Sequence, residues 1–180
     1  MDVTITQMIN NLSGQNIVAD EVFVLITKYG VPLMVFAVVV QWWGKRPREK
    51  LRQTTIIAGV TSLLGLLIAQ IILLFVHRVR PYDAGVSHLI VERTADWSFP
   101  SDHAIASTSV AFVFLLNGFG KHALAFFLAA ALVCFSRIYV GMHYGTDILG
   151  GAALALVTAF LVNKLYPRGS KLDQWLVSWF

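Results

Sequence analysis

Apolar residues run along this chain in long blocks separated by short polar stretches, and a helix buried in lipid has that pattern. Five blocks predict membrane-spanning helices, at 22–43, 54–76, 101–117, 122–139 and 146–165. The last three lie near the lower limit of about 17 residues for crossing the hydrocarbon, and helical flanks can lengthen them. Lys28, Gly30 and Pro32 inside the first block predict a kink or a later start. Trp42 and Trp43 at its end fit an aromatic belt. Residues 1–20 are too polar to span and predict an interfacial helix. They lack the basic start and apolar run of a cleavable signal peptide. A polar segment at 77–99 joins the second and third spans, a short turn at 117–121 joins the third and fourth, and a basic amphipathic tail follows the fifth. The expected architecture is an all-α polytopic membrane bundle of about five transmembrane helices plus the N-terminal interfacial helix. It forms one domain over 1–180, since no stretch has the composition of a linker.

Composition agrees. Of 180 residues, 57% are hydrophobic and 13% charged, where a soluble domain carries roughly 25% charged residues. The lone cysteine, Cys134, excludes an intrachain disulfide and a cysteine-based metal cluster and reads as a small packing residue. The net charge of +4 does not indicate nucleic acid, because the positive residues are sorted along the chain. Folding the chain back and forth five times puts Lys45, Arg46, Arg48, Lys50, Arg52, Lys121, Lys164, Arg168 and Lys171 on one side. Asp2, Asp20, Glu21, Asp83, Glu92 and Asp96 fall on the other. The first side reads as cytoplasmic.

Three polar clusters then converge on the extracytoplasmic side. The most informative is Ser136-Arg137-Ile138-Tyr139-Val140-Gly141-Met142-His143-Tyr144-Gly145-Thr146-Asp147. Ionisable groups among membrane segments usually mark a site. On a helix, His143 and Asp147 would share one face, so that the carboxylate orients the imidazole. Arg137 supplies a forked cation suited to phosphate. The bland alternative is an Arg–Asp pair that only supports packing. The second cluster, His77-Arg78-Val79-Arg80-Pro81, offers two arginines at a helix exit, which bind phosphate or merely snorkel to water. The third, Phe99-Pro100-Ser101-Asp102-His103, opens a helix whose first N–H groups attract anions. Ser101 and His103 would meet a phosphate there, or Ser101 is an ordinary cap. Asp102 would repel the phosphate unless its side chain turns away or the site tolerates it. In the loop between, His88, Glu92, Arg93, Asp96 and Trp97 read mainly as a solvated segment, with ordering of the site's mouth as the alternative.

These residues resemble the type 2 phosphatidic acid phosphatase family. Its pattern is Lys, six residues, Arg-Pro; then Pro-Ser-Gly-His; then Ser-Arg, five residues, His, three residues, Asp. The matches are Arg80-Pro81, Pro100-Ser101-Asp102-His103, and Ser136-Arg137 with His143 and Asp147, within a motif-bearing core of about 54–165. Two positions depart: Leu73 stands where the family has lysine, and Asp102 where it has glycine. Phe-Pro-Ser-Asp-His resembles the branch of bacterial undecaprenyl pyrophosphate phosphatases linked to bacitracin resistance. The resemblance implies a multi-pass enzyme of the bacterial cell membrane, its site facing outward, hydrolysing an isoprenoid lipid pyrophosphate without metal or cofactor. It implies His143 as nucleophile, Asp147 as its orienting carboxylate and His103 as general acid and then base. Arg80, Arg137, Arg78, Ser101 and Asp102 fall at the substrate's phosphates. Membrane lipids, and no nucleic acid, are the other expected partners. Rival readings are a phosphatase for phosphatidylglycerophosphate, phosphatidate or another lipid phosphate, a lipid A phosphotransferase, a transporter or flippase, and a haem-binding bundle using His103 and His143.

Overall fold

A computed structural model describes residues 1–43 and 48–178. Lys45 and Arg46 of the expected basic loop lie outside the described residues. Seven α-helices and a short 3₁₀ turn make up the regular structure among the described residues. They are α1 (Asp2–Asn10), α2 (Ile17–Val40) with the turn Gln41–Trp43, α3 (Arg48–Leu73), α4 (Asp102–Leu116), α5 (Gly120–Tyr139), α6 (Gly145–Leu165) and α7 (Lys171–Ser178). Among the described residues, four stretches are long and apolar enough to cross a membrane: α2 with its 3₁₀ turn, α3, α5 and α6. The expected third span is the shorter α4, whose 15 residues cover only about 22 Å at 1.5 Å each. It packs against α3, α5 and α6, which puts it at the centre of the bundle. It therefore need not match the full hydrocarbon thickness.

Leu63 and Leu67 on α3, Leu124, Leu128 and Leu132 on α5, and Leu156 and Phe160 on α6 are exposed in outward stripes. The interior holds a core built around Val113 and Phe114 of α4, Ile57 and Ala58 of α3, Phe126 and Val133 of α5 and Ala159 and Val162 of α6. It also holds hydroxyls. Thr54 and Thr108 each donate to the carbonyl four residues back, at 2.7 and 2.6 Å, which satisfies them without leaving their own helix.

Two helix starts differ most from the pattern of apolar blocks. Helix α2 begins earlier, at Ile17, because the Asn16 side chain caps it by accepting the Val18 and Ala19 N–H groups. Pro32 lies inside it. Helix α3 begins at Arg48, so part of the supposed basic loop is helical. Arg52 is buried there, donating to the carbonyls of Trp42 and Val177, at 3.2 and 2.7 Å. The tail helix α7 is held by Asp173, which accepts from Gln53 at 2.7 Å and Tyr166 at 2.6 Å.

Helix α1 is laid on the bundle with its polar side inward. Asp2, Thr6 and Asn10 recur every four residues, and Thr6 and Asn10 are buried. Met1, Ile5, Met8 and Leu12 are exposed on the other side. That suits the expected interfacial helix.

Candidate active site

The site forms where α4, α5 and α6 meet the loop 74–101. Helix α5 ends at Tyr139, and the chain folds back so tightly that the Arg137 carbonyl accepts both the Met142 and His143 N–H groups, at 3.0 and 3.3 Å. Gly141 makes this turn at φ +86°, and a Cβ there would lie 2.4 Å from the His88 carbonyl oxygen. His143 sits in this turn, not on a helix, which corrects the shared-face argument. The expected contact forms nevertheless. Asp147 is in the first turn of α6, and its Oδ2 lies 3.5 Å from Nδ1 of His143.

The nearest partner of Nδ1 is a different group, the carbonyl oxygen of Ser98 at 2.9 Å. On the other side of the ring, Nε2 lies 3.3 Å from Nη1 of Arg80. A guanidinium can only donate, and a carbonyl can only accept. These partners assign the proton to Nδ1 and leave a lone pair on Nε2. Burial pushes the His143 pKa down to about 4; the Asp147 hydrogen bond opposes this, and Arg137 and Arg80 add to it. The ring is therefore neutral at physiological pH, and Nε2 is a nucleophilic nitrogen.

Asp147 is fully buried and well supplied with donors. Its Oδ2 accepts the Ser98 hydroxyl at 2.5 Å and the Tyr144 N–H at 2.8 Å, the latter as half of a capping box. Its Oδ1 accepts Nη1 of Arg78 at 2.7 Å.

Beside the ring is a cavity of about 130 Å³, lined by Leu73, Arg80, Thr94, Asp96, Trp97, Pro100, Asp102, His103 and Arg137. That is the liquid volume of roughly four waters, enough for a phosphoryl group and far too little for a lipid tail. Arg80 is buried and fixed: Nε donates to the Asp96 carbonyl at 3.0 Å, Nη1 to the Met142 carbonyl at 3.0 Å, and Nη2 to the Asp96 carboxylate at 2.9 Å. Arg137 is buried, and its Nε has no partner among the described residues. A buried guanidinium with an open donor is suited to an incoming anion.

The expected residues thus divide. Arg80, Asp102, His103 and Arg137 line the cavity; His143 is not among the lining residues but touches Arg80, and Asp147 lies behind its ring. Asp102 is among the lining residues, and its buried Oδ1 has no partner among the described residues. Ser101 is fully buried outside the lining and caps α4, its Oγ accepting the Ala104 N–H at 3.4 Å. Its own N–H donates to the Asp147 carbonyl at 3.2 Å, joining α4 to α6. Arg78 is not at the cavity either. It lies on the other side of Asp147, donating to Thr146 at 2.6 Å and to Asp2 at 2.5 Å, with its guanidinium 4.0 Å from the Tyr144 ring centre. Leu73 lines the cavity where the resemblance expects lysine, so Arg80 and Arg137 are the cations there.

Sequence reasoning passed over Ser98 and read Asp96 mainly as part of a solvated loop. Ser98 carries no signal of its own, since its role comes from a backbone carbonyl brought to His143. Asp96 is visible in sequence only as an acid beside Trp97. Hydrogen bonds from Thr94 and the ion pair with Arg80 hold its pKa below the usual carboxylate range, against the opposing effect of burial.

Comparison with known proteins gives a concordant result. The chain is 32% identical over 161 residues to the undecaprenyl-diphosphatase BcrC of Bacillus subtilis (strain 168), covering 89% of this chain and 82% of that one. It is 34% identical over 110 residues to phosphatidylglycerophosphatase B of the same organism, covering 56% and 52%. The fold matches the crystal structure of a transmembrane PAP2-type phosphatidylglycerolphosphate phosphatase from Bacillus subtilis. The TM-score is 0.66 at 23% identity, over 94% of this chain and 86% of that one. Residues 54–171 match the PAP2 superfamily. That stretch carries the buried histidine, its carboxylate and both cavity arginines, and by this match the chain belongs to the PAP2 superfamily.

Proposed function

We propose that this membrane lipid phosphatase hydrolyses undecaprenyl pyrophosphate to undecaprenyl phosphate and phosphate at the extracytoplasmic face, through a phosphohistidine intermediate. The observation that carries the chemistry is the lone pair on Nε2 of His143, held beside a cavity that contains two arginines and a second histidine. Nε2 attacks the terminal phosphorus, and the bond from that phosphorus to the bridging oxygen breaks. Arg80 and Arg137 take up the charge spread over the phosphoryl oxygens. His103 donates a proton to the leaving lipid phosphate. It then removes one from water, whose oxygen attacks the phosphohistidine and releases phosphate. Asp147 and the Ser98 carbonyl hold Nδ1–H throughout and stabilise the cation formed on the ring.

The substrate assignment is supported by the relative with 32% identity, an undecaprenyl-diphosphatase. The cavity's size fits a headgroup that enters while the tail remains in lipid, which suits any lipid phosphate. The reading is metal-free, since guanidinium groups occupy the positions facing the phosphate. The site faces outward because Lys121, Lys164, Arg168 and Lys171 lie at the opposite end of the bundle. A second reading, phosphatidylglycerophosphate as substrate, is favoured by the relative with 34% identity.

Purified protein given a panel of lipid phosphates tests both. We expect the isoprenoid pyrophosphate to be turned over fastest, without loss of activity in chelator. His143→Ala should lower phosphate release by at least about 10³-fold and eliminate acid-labile phosphoprotein, by the scale on which loss of a nucleophile acts. His103→Ala should form phosphoprotein slowly and hydrolyse it slowly. Normal release by the His143 variant would falsify the mechanism. Faster turnover of phosphatidylglycerophosphate would transfer the substrate to the second reading.

A further inference from the structure

Arg78 is placed where it cannot hold a phosphate in the cavity, and its partners suggest another use. Nη1 donates to Asp147 at 2.7 Å and to Thr146 at 2.6 Å, while Nη2 donates to Asp2 of α1 at 2.5 Å. Asp2 in turn accepts the Thr146 N–H at 3.0 Å and its hydroxyl at 2.6 Å. One guanidinium therefore bridges two carboxylates, one of which touches the His143 ring.

The rest of α1 is attached to the same few residues. Thr6 accepts the Gly145 N–H at 3.4 Å. The Asn10 amide donates to the Tyr139 carbonyl at 2.8 Å and the His88 carbonyl at 2.9 Å, and its oxygen accepts the His88 N–H at 2.7 Å. Tyr139 and Gly145 are the residues at which α5 ends and α6 begins. The inward face of α1 thus grips both ends of the turn 140–144, which carries His143.

We propose that Asp2 and Arg78 are positioning residues: α1 clamps the nucleophile's turn, and the Asp2–Arg78 pair fixes the Asp147 carboxylate that aims His143. This rests on the reading of His143 as nucleophile. The physical reason lies in how the Asp147 oxygens are shared. Ser98 and Tyr144 both donate to Oδ2, whereas among the described residues Arg78 is the donor to Oδ1. Without Arg78, one oxygen of a fully buried carboxylate loses a charged donor, and the group rotates to recover one. Asp2 keeps Arg78 on Asp147 and away from the substrate's phosphates.

The test uses full-length protein in detergent, assayed for phosphate release from a lipid pyrophosphate, with active sites counted by trapped phosphoprotein and folding followed by thermal melting. Arg78→Gln should lower kcat per active site about 10- to 100-fold, with KM within about twofold, the range typical of groups that orient a reacting side chain. Arg78→Lys should recover part of the loss, since it keeps the charge but not the fork. Asp2→Asn should lower kcat about 3- to 10-fold, again at constant KM. A simple packing role would reduce melting temperature and active-site count and leave kcat per site unchanged, and that result would overturn the proposal. So would a raised KM at constant kcat, which would make Arg78 a substrate ligand. If Arg78→Gln does not fold, Asp2→Asn and Arg78→Lys decide by the same split. Wild-type turnover that is insensitive at Asp2 and Arg78 removes the clamp alone. A wild-type enzyme that forms no phosphoprotein removes the histidine mechanism and the clamp with it.

Discussion

His143 is buried away from solution, and its protonation should be visible in stability. Its pKa is pushed down to about 4 in the folded protein, mainly by burial, from about 6.5 in an unfolded chain. Between those values the unfolded chain binds a proton that the folded one refuses. The histidine's contribution is therefore fully present above pH 6.5 and lost as pH falls toward 4. At pH 5 the loss is about 2 kcal/mol relative to pH 7, which should lower the melting temperature by several degrees. His143→Gln should remove that part of the pH dependence. Equal slopes for the two proteins between pH 7 and 5 would mean that the ring is not held neutral. His143 and Asp147 stood out in sequence as ionisable groups beside membrane spans, but their contact forms through a turn and not through the shared helix face that their spacing suggested. The groups that set the tautomer did not stand out. Ser98 acts through its carbonyl, which any residue would possess, and Arg78 looked like a phosphate ligand because composition cannot show which side of Asp147 it reaches.

The helices were predictable as elements because lipid demands long apolar runs, and their ends were less so. Caps act through one side-chain oxygen: Ser101 could be read as one at the start of its apolar block, whereas Asn16, set back from the block that follows it, left no trace in the apolar pattern. Contacts between helices are less legible still. Gly151 of α6 faces the start of α4: a Cβ there would lie 2.7 Å from the Ser101 carbonyl oxygen and 3.0 Å from the Ala104 Cβ. The first of those atoms is backbone and cannot swing aside. Ser101, whose N–H bonds the Asp147 carbonyl, leads into Asp102 and His103 at the cavity. Forcing the two helices apart should therefore displace His103, the proposed general acid, relative to His143, the proposed nucleophile. Gly151→Ala should cost about 1–3 kcal/mol of stability, as overpacking does, and lower kcat more than it raises KM. Gly59→Ala is the control, because a Cβ there meets nothing within 4 Å. It should be neutral or stabilising by up to about 1 kcal/mol through helix propensity. Similar kinetics for the two variants would show that the α4–α6 approach does not govern the chemistry.

The distribution of charge across the whole bundle bears on where phosphate is released. Arg80, Arg137, His103 and His143 converge at the end of the bundle where Asp2, Asp83 and Glu92 also lie. Lys50, Lys121, Lys164 and Arg168 gather at the other end, where the Lys50 ammonium lies 5.6 Å from the Phe119 ring centre and Arg168 donates to Asn117 at 3.0 Å. Basic residues in short loops resist translocation far more than acidic ones do, so this asymmetry supports the proposed outward-facing orientation. The site's own arginines do not spoil the argument, because they are buried among carboxylates and carbonyls and do not sit free in a loop. The consequence can be measured without substrate. Cys134 is the lone cysteine, so Cys134→Ser gives a silent background for labelling. Asp83 is partly exposed, with only a long 3.4 Å contact to Arg93, and Lys121 is exposed at the opposite end. On intact cells, a membrane-impermeant maleimide should label Asp83→Cys and leave Lys121→Cys untouched until the membrane is permeabilised. The reverse pattern would put the cavity in the cytoplasm and remove the outward-facing reading. It would leave the chemistry at His143 unaffected, since nothing in the histidine's tautomer or the arginine pair depends on which side of the membrane they face.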